Sequence, residues 1–126
     1  MILLDTSVLI DGLTGSKRSG SAIRGAIAEG ERILLPALVL YEWLRGPRLS
    51  EELAVQEALF PAVLAVGFGP EEAVVSADLY RAVRRPRSRT VDLAIAACAI
   101  VRDAQFWTLN HADFRDVPGL QLYEIG

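Results

Sequence analysis

This chain of 126 residues has a single cysteine, Cys98. One thiol excludes an intrachain disulfide and a zinc cage built on cysteine. Its neighbours, Ile95-Ala96-Ala97 before it and Ala99-Ile100 after it, mark it as a small buried apolar residue rather than a reactive thiol. Histidine is equally scarce: His111 stands alone, two residues before Asp113, and reads as a loop histidine outside any site. Long apolar runs are missing too. No stretch of about twenty apolar residues occurs, so no segment reads as a membrane span. Asp5 and Asp11 interrupt the apolar stretch at the start, which argues against a secretory leader and leaves the cytoplasm as the expected location. Nor is there an excess of positive charge. With 13 basic and 16 acidic residues the formal net charge is −3, so affinity for a polyanion has to come from a local basic patch or from bound metal.

What is present is globular composition. Hydrophobic residues make up 52% and charged ones 23%, enough apolar surface for one compact domain over residues 1–126 and too little charge for a disordered segment. Five short apolar runs bounded by turn residues read as strands buried on both faces of a sheet: Ile2-Leu3-Leu4, Ile33-Leu34-Leu35, Val63-Leu64-Ala65-Val66, Phe106-Trp107-Thr108-Leu109 and Leu120-Gln121-Leu122-Tyr123. Helical patterns separate them. One begins near Ser7; Ala22, Ile23, Ala26 and Ile27 mark another before Gly30; Pro36 opens a third that ends at Gly46-Pro47. Ser50 with Glu51 and Glu52 looks like the capped, acidic start of a helix to about Phe60, and Gly69-Pro70 starts one reaching Arg85 before Pro86. The last, from about Thr90, carries Ala94, Ile95, Ala97, Cys98 and Val101 and is apolar nearly all round, as the most buried helix should be. Strands alternating with helices predict an α/β fold with a mainly parallel five-stranded sheet in a three-layer α/β/α sandwich. In such sheets ligands sit beyond the carboxyl ends of the strands.

Four acids attract attention by their positions. Asp5 directly follows the first run, at the carboxyl edge of an expected central strand, though Asp5 or Thr6 could equally cap the next helix. Glu42 lies among Leu38, Val39, Leu40, Tyr41, Trp43 and Leu44, where a carboxylate loses hydration and needs a partner; Arg45, three residues on, could supply an ordinary ion pair. Asp92 opens the buried helix, where the helix dipole alone would favour an anion. Asp113 follows the fourth run in Thr108-Leu109-Asn110-His111-Ala112-Asp113 and could be a simple loop acid. Parallel strands would bring Asp5 and Asp113 to one edge. Carboxylates gathered without basic partners repel, and a hard cation such as Mg²⁺ or Mn²⁺ resolves that conflict. Metal held this way can activate water and stabilise both oxygens of a phosphodiester displacement.

Basic residues cluster as well. Arg81, Arg84 and Arg85 end the helix that begins with Glu71 and Glu72, so matching to its dipole accounts for them. Arg87 and Arg89 lie beyond Pro86, in the loop leading to Asp92. A basic loop entering an acidic site is where RNA phosphate would need positive charge, and an acidic or carboxylate group of a protein partner would suit the same guanidinium groups. Arg84, Arg85, Arg87 and Arg89 are therefore candidates for contact with RNA or a partner.

Taken in order, Leu4-Asp5-Thr6-Ser7-Val8-Leu9-Ile10, Tyr41-Glu42-Trp43-Leu44-Arg45-Gly46, Asp92-Leu93-Ala94-Ile95-Ala96-Ala97 and Thr108-Leu109-Asn110-His111-Ala112-Asp113-Phe114 resemble the motifs of the PIN-domain ribonucleases, in particular the small VapC-type toxins of toxin–antitoxin pairs. The resemblance spans the whole chain. It implies an α/β/α sandwich around a parallel sheet and a Mg²⁺- or Mn²⁺-dependent endoribonuclease, often a homodimer, silenced by a cognate VapB-like antitoxin. By position it makes Asp5, Glu42, Asp92 and Asp113 the acidic quartet, gives Thr6 and Thr108 the task of orienting those acids, and makes Asn110 a supporting group behind them. Tyr41 and Trp43 are bulkier than the usual neighbours of the second acid. An apolar groove near Leu38, Tyr41, Trp43, Leu53 and Leu59 would suit an antitoxin segment, with core packing as the competing use of the same residues.

Two other classes compete. A phosphatase with a nucleophilic Asp at the end of its first strand would need a second Asp two residues later, and Ser7 occupies that position. A non-catalytic module of the same fold, binding RNA or protein without cutting, would be supported by loss of one of the acids, and none is lost.

Overall fold

A computed structural model of the protein describes residues 1–125. Its elements in chain order are β1 (Ile2–Leu4), α1 (Thr6–Leu13), α2 (Gly20–Ala28), β2 (Ile33–Leu34), α3 (Ala37–Arg45), α4 (Ser50–Leu59), α5 (Pro70–Ala82), α6 (Thr90–Val101), β3 (Gln105–Trp107), α7 (His111–Phe114) and β4 (Gln121–Leu122). The strands form one parallel sheet in the order β2-β1-β3-β4. β1 is central, and Ile2, Leu3 and Leu4 are all fully buried, which is why this run has no polar face. Burial of each such side chain contributes about 1.5–3 kcal/mol, so even a three-residue strand can anchor the sheet.

The sheet has four strands among the described residues, not the five expected. Val63-Leu64-Ala65-Val66 is no strand: Pro61 leads into a 3-10 turn at Ala62–Leu64, and Val63 and Leu64 stand 89% and 68% exposed. Only Val66 reaches the sheet region, in an isolated parallel bridge to Pro36 just beyond β2. Its N–H donates to the Leu35 carbonyl at 2.8 Å, and its own carbonyl accepts from Ala37 N–H at 2.7 Å.

Among the helices, α6 is the buried one, with Leu93, Ile95, Ala96, Ala97, Cys98 and Ala99 inside, packed on α5, α3, β1 and β3. Burial pushes the Cys98 thiol up to about 11, so it stays protonated and inert. Helix α4 starts one residue earlier in its cap than expected. Leu49 rather than Ser50 is the cap position, and the Glu52 carboxylate reaches back to accept from Leu49 N–H at 2.7 Å. Helix α5 starts similarly, its Glu72 accepting from Gly69 N–H at 3.0 Å, but stops at Ala82 rather than at Arg85. Pro86 disfavours helical backbone at the residue before it, and Arg85 takes a left-handed conformation at φ 51°. Of the three arginines expected at its end, only Arg81 lies in the last turn, paired with Asp78 at 2.5 Å.

Trp43 belongs to the core. It is fully buried on α3, and its indole N–H donates to Gln56 Oε1 on α4 at 3.2 Å. That removes it from the expected docking groove, where Tyr41 and Leu53 are exposed while Leu38 and Leu59 pack half-buried on the core. Among the described residues no helix is long and apolar enough to cross a membrane.

Candidate active site

Parallel register sets the first part of the site. Leu4 pairs with Trp107, so the next residues, Asp5 and Thr108, emerge side by side at the carboxyl edge of β1 and β3. Asp5 N–H donates to the Trp107 carbonyl at 2.8 Å, extending the pairing by one bond. Asp5 is only 4% exposed, and a carboxylate so placed needs donors. Two hydroxyls supply them: Thr108 Oγ1 donates to Asp5 Oδ2 at 2.7 Å, and Ser7 Oγ donates to the same oxygen at 2.9 Å. Each hydroxyl is itself aimed by a backbone N–H, from Asn110 to Thr108 Oγ1 at 3.0 Å and from Leu109 to Ser7 Oγ at 3.1 Å. Since each oxygen accepts from the main chain, its own proton is directed at Asp5.

The helix-capping alternative for Asp5 fails on geometry. Asp5 holds the cap position of α1, yet its side chain makes no capping hydrogen bond there. Burial raises its pKa above the ordinary carboxylate value, the hydrogen bonds from Thr108 and Ser7 oppose the rise, and the charge of Glu42 adds to it.

Helix α1 packs on α3 and brings in the second acid. Thr6 Oγ1 donates to Glu42 Oε1 at 2.5 Å. On its other oxygen Glu42 faces Arg45 at 3.5 Å, the expected neighbouring ion pair, but that arginine is mostly exposed and the pair is worth little.

Asp92 comes from the first turn of α6, half-buried and with no salt bridge or side-chain hydrogen bond among the described residues. Burial, followed by the charges of Asp5, Glu42 and Asp113, pushes its carboxyl up to about 6, with Arg89 pulling the other way. The charges of the other three carboxylates thus bear on Asp92, and Asp92 and Asp113 line one cleft. Asp113, on the short helix α7, is exposed.

The remaining candidates divide. Arg84, Arg85 and Ser88 line an open cleft of about 540 Å³ together with Asp92 and Asp113. Arg87 is exposed. Arg89 is engaged: it grips Asp116 through two hydrogen bonds, Nη1 to Oδ2 at 2.8 Å and Nη2 to Oδ1 at 2.7 Å. Asn110 contributes its backbone N–H, while its side chain is exposed and makes no hydrogen bond among the described residues. Two participants escaped the sequence. Ser7 was visible only as the hydroxyl residue two positions after Asp5, and Asp116 had no signal, since its partner lies 27 residues away.

The chain as a whole has known relatives. The family profile of the PIN domain matches residues 2–120. The chain belongs to the PIN domain family. It is a homologue, at 37% identity over 123 residues, of Ribonuclease VapC19 from Mycobacterium tuberculosis, an alignment covering 96% of this chain and 98% of that protein. Its fold matches that of DNA-bound VapBC from Salmonella typhimurium, with a TM-score of 0.79 at 22% identity over 99% of this chain and 98% of that one. A second match is VapBC2 from Rickettsia felis, solved on a promoter DNA fragment, with a TM-score of 0.74 at 19% identity over 98% of both chains. The α/β architecture with its parallel sheet is thus that of the PIN family.

Proposed function

We propose that this PIN-family chain is the toxin of a toxin–antitoxin pair, a cytoplasmic endoribonuclease that depends on Mg²⁺ or Mn²⁺. The observation that carries the reading is the charge of Asp5, Glu42 and Asp113, each from a separate segment, bearing on a half-buried Asp92, with neither Asp5 nor Asp92 in a salt bridge among the described residues. Ribonuclease activity in the VapC19 relative and VapBC assembly in the structural matches support it. Hard oxygen donors, of which only Glu42 has a salt-bridge partner, the mostly exposed Arg45, are the donor set for a hard divalent ion. Asp5, with both its hydroxyl hydrogen bonds on Oδ2, and Asp92 would hold it, with Glu42 and Asp113 beside them. When bound, the cation would supply the Lewis acidity that phosphodiester hydrolysis needs.

The chain's own residues do the rest. Ser7 and Thr108 hydrogen-bond and orient Asp5, and Thr6 hydrogen-bonds and orients Glu42. Arg84 and Arg85 on the cleft wall, with the exposed Arg87, offset the repulsion that the acids exert on RNA phosphates entering the cleft. An antitoxin segment would occupy the groove of about 440 Å³ between α1, α2 and α4, whose walls include Leu13, Ile23, Leu49, Val55 and Leu59, and the toxin would act as a homodimer.

One observation favours a different reading. No three of the described carboxylate, cysteine or histidine side chains are set to close around one ion as they stand, which suits a module that binds RNA without cutting. Metal decides between the two. A nuclease cuts RNA with Mg²⁺ or Mn²⁺ and stops with chelator; binding without cutting, unchanged by either metal, would establish the module.

A further inference from the structure

We infer that Arg89 is a positioning residue for the carboxylate site, locked by Asp116 into a clamp that holds the main chain at Asp113 and the turn at Arg84 relative to Asp92. The inference rests on the nuclease reading for its catalytic consequence, but the clamp itself does not. Four hydrogen bonds define it. Besides the two to Asp116, Nη1 donates to the Arg84 carbonyl at 2.9 Å and Nη2 to the Asp113 carbonyl at 2.7 Å. These use every terminal N–H of the guanidinium and leave only Nε–H for any ligand. The side chain is 17% exposed, although Asp116 is much more open to solvent.

Three segments meet in this one group. Arg89 sits just before α6, three residues ahead of Asp92; Arg84 follows α5; Asp113 and Asp116 belong to α7 and its exit. Helix α7 is a single turn that buries only Phe114, too little packing to fix Asp113 by itself. Exposed ion pairs usually contribute little, but a two-pronged arginine–carboxylate pair also fixes direction, and here it is joined by two carbonyls. A lysine keeps the charge without the fork. Asp116 has a second task. It detains a guanidinium that lies close to Asp92 and Asp113 and would otherwise pair with them in place of a cation.

The test compares wild type with Arg89→Lys, Arg89→Ala, Asp116→Asn and the Arg89→Ala/Asp116→Asn double variant, in metal-free protein titrated with Mn²⁺, in RNA cleavage and in amide hydrogen exchange. Each single variant is expected to weaken Mn²⁺ binding and lower kcat by about 10- to 100-fold, the range for residues that orient metal-holding side chains. KM for RNA should move less than about twofold. The double variant should be no worse than the poorer single, because the pair acts as a unit. Exchange over residues 111–116 should quicken in metal-free Arg89→Ala. Loss of a nearby cation should by charge alone tighten Mn²⁺ binding, so weaker binding reports position. Wild-type behaviour of Arg89→Lys, or tighter Mn²⁺ binding by Arg89→Ala, would reduce the role to charge and overturn the inference. A raised KM with kcat kept would make Arg89 an RNA contact instead, and a lower Tm with kcat and Mn²⁺ affinity intact would make it a mere brace. Wild-type protein that neither binds Mn²⁺ nor cuts RNA would sink the nuclease reading and the catalytic consequence with it; unchanged exchange in Arg89→Ala would refute the clamp in either case.

Discussion

Replacing Asp92 with Asn should make the metal-free protein more stable at neutral pH. Asp92 has an ordinary carboxyl pKa of 3.8 when the chain is unfolded and about 6 when it is folded, raised by burial and then by Asp5, Glu42 and Asp113. The folded state therefore binds the proton more tightly. Its penalty for ionising Asp92 is fully present above pH 6 and disappears as pH falls toward 4, so wild-type stability should rise through that window on acidification. A shift of this size corresponds to about 3 kcal/mol at most, and screening at a half-buried site reduces that to about 1–2 kcal/mol. Against it stands the favourable position of an anion in the first turn of α6, worth about 0.3–1 kcal/mol. Asn loses no hydrogen bond, since Asp92 makes none with a side chain among the described residues. The net gain is about 1 kcal/mol, or a rise in Tm of about 3–5 °C for a domain of this size. Thermal unfolding by circular dichroism in chelator, at several pH values from about 4.5 to 7.5, measures it. An Asn variant that melts at or below wild type at the upper end, or a difference that does not shrink on acidification, would refute the account of four mutually repelling acids. Added Mn²⁺ should reverse the order, because only wild type would keep the full stabilisation by a bound ligand.

Further outcomes follow from the same geometry. Asp5→Asn should abolish RNA cleavage and leave the metal-free fold intact or more stable; cleavage at the parental rate would mean the site is misplaced. Thr108→Val removes a buried donor from Asp5 and should cost about 1–3 kcal/mol in denaturant unfolding. It should also move the acid limb of the cleavage profile to higher pH, because the lost bond favoured the ionised form; an unmoved limb would separate Thr108 from the reaction. Joint replacement of Arg84 and Arg87 by Ala should weaken RNA binding and flatten its dependence on salt by about one to two in log–log slope, with the melting temperature unchanged; an identical slope would make them solvated surface.

Much of this was legible because the relevant signals are local. Ile2-Leu3-Leu4 lacks a polar face, as a strand covered on both sides requires. The unbroken apolar pattern after Asp92 announced the buried helix in the same way. Asp5 could be placed at the sheet edge because it directly follows the first run. Val63-Leu64-Ala65-Val66 misled for a related reason: apolar composition does not say whether a sheet edge is free to receive it, and Pro61 bends the chain into a turn first. What stayed hidden was partnership over distance. Arg89 looked like a free loop cation because no acid precedes Asp92 near it in the chain, and its partner Asp116 lies 27 residues on, beyond α7. Ser7 was read as the residue that excludes a phosphatase; its use in holding Asp5 depends on Leu109, which no local pattern connects to it.

The sheet order β2-β1-β3-β4 has a consequence for how the molecule comes into being. β1 is one of the two inner strands, and β3, which completes one side of it, is more than a hundred residues away in the chain. Asp5 receives its Thr108 hydroxyl across a separation of 103 residues, and the clamp closes on Asp116 later still. The acids therefore stay unassembled until segments 103 residues apart have met, and contacts of such long sequence separation are the slow ones to form. A chain lacking β3 would have a core strand open on one side and Asp5 without its Thr108 partner, and an unpaired strand edge of that kind is prone to aggregate.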